Sequence, residues 1–151
     1  FFSAKTHKVD IPFRTIVSER GSWLGNIKFL LSKLKTLYVN DPFRTKSSSD
    51  VGDFFRSNQQ IFFAFSVDVE DLFCSVPHNK LLESVQKCIE DNGDVFFMND
   101  VSVSVDNFLV LLEFYLNVTF ITFQDKPYLQ RQGICIRSGV APVLCDIFYL
   151  T

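Results

Sequence analysis

Apolar positions recur along this chain with two different periods. Between Ser22 and Val39, Leu24, Ile27, Leu31, Leu34 and Leu37 stand three or four residues apart, which predicts an amphipathic helix. Between about Ile61 and Val69 the period drops to two. Phe65, Val67 and Val69 point one way and Ser66, Asp68 and Glu70 the other, which predicts a half-buried strand. A second helix is predicted from Pro77, with Ser75 as its cap, Leu81, Leu82, Val85, Cys88 and Ile89 as its buried stripe, and Gly93 as its end. Asp106 can cap a third helix through Leu109, Leu112 and Leu116, with residues 101–106 forming either a brief strand or its lead-in. The runs 117–123 and 128–132, separated by Gln124-Asp125-Lys126-Pro127, read as a β-hairpin. A loop from Gly133 to Gly139 leads into a last helix from about Pro142. Ahead of the strand, a polar loop at 46–50 precedes a short helix through Phe54 and Phe55. Residues 1–20 read as extended, with Pro12 disfavouring helix at Ile11.

Composition narrows the class. A chain of 151 residues suffices for one sizeable core, and 47% hydrophobic against 21% charged residues is globular rather than disordered. The aromatic share is 15%, with 18 Phe, which calls for either a very apolar core or surfaces covered by other segments. The start at Phe1-Phe2 and the stop in an apolar run are expected of an excerpt from a longer protein. Charge divides unevenly. Residues 1–46 carry nine basic and three acidic side chains, and the remainder carries six and fourteen. A basic part joined to an acidic part suits a protein that grips phosphates with one and cations with the other, though ordinary surface scatter produces the same split. Cys74, Cys88, Cys135 and Cys145 lie far apart without a CxxC pair, so they are expected to be reduced, buried thiols of an intracellular protein, nuclear or cytoplasmic. No signal peptide is visible at the start. The apolar run 107–123 contains Glu113, Asn117, Thr119 and Thr122 and reads as helix then strand rather than a membrane span.

The chemistry concentrates in FSVDVEDLFCSVP (65–77), where Asp68, Glu70 and Asp71 interrupt an apolar run. Two readings fit: a solvated strand face, or an aspartate at a strand end that holds a divalent cation. Three separated stretches favour the second. KTHKVDIPFRTIVS (5–18) resembles the fingers strands of reverse transcriptases. FSVDVEDLFCSVP resembles their first palm motif, and YLQRQGICIRSGVAPVLCDIF (128–148) resembles the following palm motif, with its Tyr-x-Gln-x-x-Gly and Ala-Pro-x-Leu elements. Taken in order and spacing, the chain resembles the reverse transcriptases of eukaryotic mobile elements, of the Penelope-like or a related retrotransposon kind.

That resemblance implies an α/β (α+β) fold: a partial fingers–palm domain over residues 1–151, with a small palm sheet backed by helices. Residues 1–60 would form the basic fingers-like part, 61–76 the palm strand with Asp68, 77–132 helices and a hairpin, and 133–151 the palm loop and helix. It implies two-metal phosphoryl transfer of deoxynucleotides onto a primer, with Mg2+ or Mn2+ bound in the complete protein. Asp68 would be the catalytic, metal-bridging carboxylate, and the Val69 carbonyl would help fix the second ion. Arg14 and Lys8 would meet the triphosphate, where a planar guanidinium suits phosphate oxygens. Phe73 would lie beneath the nucleotide sugar, Gln130 and Gly133 would shape the floor under the base, Ser138 would belong to the same loop, and Pro142 would start the supporting helix. Partners would be a deoxynucleoside triphosphate, an RNA or DNA template-primer, and the downstream palm and thumb of the same polypeptide; no membrane is implied.

The chain departs from the family pattern in three places. It contains no Asp-Asp pair, whereas the family completes its metal site with an aromatic-x-Asp-Asp hairpin downstream. Arg137 stands where a small residue normally precedes the serine, and Thr15 stands where a proline usually follows the arginine. The excerpt alone is therefore not expected to polymerise. The alternative is a non-catalytic transposon remnant that acts at most as a nucleic-acid-binding module. A cysteine hydrolase built from Cys74 and His78 fits poorly, because Pro77 lies between them and no orienting acid is evident.

Overall fold

The computed structural model describes residues 2–4, 13–15, 25–38, 45, 47–58, 60 and 63–150. The order of elements is β1 (Phe2–Ala4), β2 (Phe13–Thr15), α1 (Gly25–Leu31) continuing as a 3-10 helix (Ser32–Tyr38), α2 (Ser48–Ser57), α3 (Leu72–Ser75), α4 (His78–Asn92), α5 (Asp94–Val101), α6 (Val105–Asn117), β3 (Phe120–Phe123), β4 (Lys126–Leu129) and α7 (Ala141–Leu150). The class is α+β and mostly helical. The strands form two separate antiparallel ribbons, β1 with β2 and β3 with β4.

The core is helical. α4 packs against both α6 and α7, and the 3-10 helix reaches α4, α5 and α7. Leu81, Val85, Cys88 and Ile89 recur at three- and four-residue steps on α4 and are all buried, while Leu82 beside them is half-buried. On α6 the buried set is Phe108, Leu112, Tyr115 and Leu116. The first predicted helix changes character at Ser32. Leu31, Leu34 and Leu37 are three apart, which stacks them on one side of a three-residue-per-turn helix, and all three are buried. Lys33 on this helix pairs with Asp100 on α5 at 2.9 Å, with both side chains partly exposed.

Helix boundaries follow local chemistry, with several corrections to the sequence reading. α2 opens on a capping box in which Ser47 and Asp50 bond reciprocally. α4 starts after Pro77, whose extended backbone occupies the cap position, and Ser75 instead closes the short α3. Ser104, not Asp106, caps α6: its hydroxyl accepts the Asn107 N–H at 3.3 Å. A separate helix, α5, fills 94–101, where the apolar pattern predicts no element. The hairpin β3–β4 turns through Gln124 and Asp125, both at positive φ (50° and 59°), as a two-residue type I′ connection demands.

The largest correction concerns the predicted palm strand. Residues 63–69 form no strand, and Phe63, Phe65 and Val67 are 93%, 91% and 86% exposed. Alternation prepares a segment for one face of a sheet, but a strand exists only where a neighbouring edge takes its backbone N–H and C=O groups. No such edge stands beside it among the described residues.

Candidate functional site

Two of the three motif stretches meet in space, and the contact is made by backbone. After the exposed run 63–69, Asp71 adopts a left-handed conformation (φ 48°), and its carbonyl accepts the N–H groups of Cys74 (2.7 Å) and Ser75 (3.1 Å), winding α3. The loop after β4 lies against this turn. The Ile134 N–H donates to the Phe73 carbonyl at 2.6 Å, and the Gly133 N–H donates to the Val76 carbonyl at 3.0 Å. Gly133 itself has φ +74°, and a Cβ there would run into the Phe73 carbonyl and come within 2.7 Å of the Cys74 Cα. Only glycine permits both the turn and the approach.

A side chain completes the corner. The Nε2 of His78, in the first turn of α4, lies 2.8 Å from the Gly133 carbonyl. A carbonyl only accepts, so this ring nitrogen carries the proton. Through Nε2 the ring is engaged with the loop, and no hydrogen bond joins it to the exposed Cys74 thiol among the described residues.

The predicted site residues divide into groups. Phe73 and Gly133 are brought into direct contact. Gln130 is half-buried at the end of β4: its backbone N–H donates to the Thr119 carbonyl (2.9 Å), and its Nε2 donates to the Gln132 carbonyl (2.9 Å). Its Oε1 is enclosed with no hydrogen-bond partner among the described residues. Ser138 is buried with its hydroxyl turned into the core, 2.5 Å from the Tyr115 hydroxyl, and it also accepts the Val140 N–H at 3.3 Å. Pro142 is exposed in the first turn of α7, where its missing N–H costs nothing. Asp68, Val69, Glu70 and Asp71 are all exposed. Asp71 does cap α3, but through its carbonyl, with no side-chain bond.

Arg14 lies in β2 with its backbone opposite Ser3, and Lys8 lies outside the described residues. Among the described residues, no three His, Cys, Asp or Glu side chains converge as a metal-binding set. No single described helix is long and apolar enough to cross a membrane; only α5 and α6 together, bent by 63°, reach that length and composition.

His78 and Tyr115 are the residues that sequence reading passes over as parts of this corner. A polar ring following Pro77 and a hydroxyl inside the apolar stripe of α6 are the available signals, and neither names its partner 55 or 23 residues away.

The cysteines separate by burial, and no disulfide joins them. Cys88, Cys135 and Cys145 are buried and Cys74 is exposed. Burial, with help from Asp146, pushes the Cys145 thiol up to about 12, and burial with Asp91 raises Cys88. Both thiols therefore stay protonated at neutral pH. Folding suppresses their ionisation, so their contribution to stability is intact below the unfolded thiol value and falls away as pH climbs from there towards the folded value. Iodoacetamide at pH 8 is expected to modify Cys74 at least tenfold faster than Cys88 or Cys145, a ratio read by peptide mass spectrometry of the native protein. Equal rates would mean that the α4–α7 packing opens freely.

No family model matches the chain, and neither a curated protein nor a solved structure matches it.

Proposed function

We propose that the chain is the fingers and early-palm portion of a mobile-element reverse transcriptase, acting on a deoxynucleoside triphosphate and a primed RNA or DNA template. The observation that carries this reading is the backbone junction between the Asp68-bearing motif and the Gln-Gly loop. Two stretches far apart in the chain, singled out for one chemistry, share a corner at which Gly133 lies directly on the Phe73–Cys74 backbone. The run 63–69 pairs with no strand among the described residues. In this reading it would join a palm sheet only with partners from the rest of the polypeptide, and its uncovered Phe63, Phe65 and Val67 suit that role. Asp68 would then stand at the end of that strand, where a carboxylate with few protein neighbours suits a magnesium ion that draws its remaining ligands from the triphosphate and water.

Primer extension tests the reading. A polypeptide carrying this chain through an aromatic-x-Asp-Asp hairpin and thumb is expected to extend a primer in the presence of Mg2+. Asp68→Asn should lower the rate by at least about 100-fold, since metal stabilisation of the transferring phosphoryl group is worth several kcal/mol. Extension that proceeds equally well in the Asp68→Asn variant would remove Asp68 from the mechanism. An extended polypeptide that binds nucleic acid but never extends a primer would favour the non-catalytic remnant.

A further inference from the structure

We propose that His78 is a positioning residue: through the Gly133 carbonyl it locks the Gln130–Ile134 loop onto the α3 turn, so that Phe73 and Gln130 keep a fixed spacing for an incoming nucleotide. The nucleotide part of this inference rests on the polymerase reading above; the lock itself does not. Three hydrogen bonds close the corner. Two are backbone bonds, Ile134 N–H to Phe73 C=O and Gly133 N–H to Val76 C=O, and both run from the loop to the segment that ends α3. The third runs the other way, from the His78 ring to the Gly133 carbonyl. Gly133 thus donates on one side and accepts on the other, and its missing side chain lets the two backbones touch.

His78 is the one member of this set supplied by a side chain. It stands two residues after Val76, at the start of the long, well-buried α4, so its backbone is anchored by a rigid element. Its ring is half-buried. The loop, by contrast, carries Gln130, whose enclosed Oε1 has an unused acceptor. With only the two backbone bonds across this corner, the loop would lift from α3 more often, because each additional bond subtracts from the open population.

The test uses the 151-residue chain as wild type, His78→Gln and His78→Leu. Glutamine keeps an N–H donor at similar reach, whereas leucine keeps bulk without a donor. In the wild type, the ring nitrogen shifts of His78 are expected to report the Nε2–H tautomer. His78→Leu is expected to speed amide exchange at Gly133 and Ile134 roughly five- to tenfold, while amides in the middle of α4 and α7 hold their wild-type rates. His78→Gln should restore slow exchange to within about twofold. Binding of fluorescently labelled dATP with Mn2+, measured on the polypeptide extended through the aromatic-x-Asp-Asp hairpin and thumb, should weaken in the leucine variant by a similar factor and recover in the glutamine variant.

Unchanged exchange at Gly133 and Ile134 in His78→Leu, or a glutamine variant as loose as the leucine one, overturns the lock. A loosened loop with undiminished dATP affinity overturns the positioning role. If the wild type shows the exchange pattern but the extended polypeptide has no dATP affinity, the polymerase reading falls, and the nucleotide role falls with it while the lock stands. Should the leucine variant unfold, the wild-type ring decides alone: an Nδ1–H tautomer cannot donate from Nε2 to a carbonyl and rules the lock out.

Discussion

Gly133→Ala is expected to destabilise the protein by about 3–4 kcal/mol and to lower Tm by roughly 10 °C. Two penalties combine. At φ +74° an L-residue sits in the left-handed region, which costs roughly 1–2 kcal/mol per residue. The added methyl would also meet backbone, the Phe73 carbonyl and the Cys74 Cα, and backbone cannot swing aside as a flexible side chain can. Relief requires the loop to lift, which stretches the bonds from Gly133 to Val76 and from Ile134 to Phe73. Two other glycines serve as controls. Gly93 shares the positive φ but has open space around it, so its alanine variant should lose only the conformational part. Gly139 has neither constraint, and its alanine variant should stay within about 0.5 kcal/mol of wild type. Urea unfolding of the three variants checks the order. A Gly133→Ala loss no larger than that of Gly93→Ala would mean that the two motif stretches do not touch as described.

Phe97→Ala should cost about 3–5 kcal/mol, a large share of the stability of a domain this size. Phe97 is fully buried and meets Phe108 of α6 edge to face, with ring centroids 4.9 Å apart and planes at 90°. Removing the ring forfeits both the burial and this contact, and it leaves a cavity among packed helices. The neighbouring Phe96 is 64% exposed, so Phe96→Ala should change stability by less than about 1 kcal/mol. Calorimetry of the two variants distinguishes them. Comparable losses would mean that α5 does not bury Phe97 in preference to Phe96.

The same pair shows why α5 is hard to read. In Asp94-Val95-Phe96-Phe97-Met98, four apolar residues run consecutively, and no three- or four-residue step marks which one faces inward. Packing against α6 selects Phe97, which meets Phe108 there. By contrast, α4 announces itself, because Leu81, Val85, Cys88 and Ile89 return every three or four positions with mostly polar residues between them. The hairpin is legible as a hairpin, but its turn is Gln124-Asp125 alone, and the second strand is Lys126–Leu129 rather than 128–132, so Lys126 and Pro127 pair instead of turning. The caps are read less well. Ser104 and Asp106 are both good capping residues two positions apart, and it is Ser104 that accepts the Asn107 N–H.

Of the candidate site, the sequence carried the residue types, their order and the resemblance that linked them. It could not show that Ser138 would spend its hydroxyl on Tyr115 inside the core, or that His78 would turn to Gly133. Those partners are distant along the chain, and nothing local distinguishes a polar side chain that will find one from a polar side chain that will meet water.

What the sequence by itself determined are the features that neighbouring residues settle among themselves: helix period, the apolar face of α4, and the separation of basic from acidic segments. What only the tertiary structure decided is which of those features find partners. The alternating run 63–69 has the period of a strand and no ladder, because a strand's backbone bonds belong half to another segment. The positive φ of Gly133 is a local demand of the turn, but the approach of the Phe73–Cys74 backbone, which only the tertiary structure supplies, adds a second penalty for any other residue there.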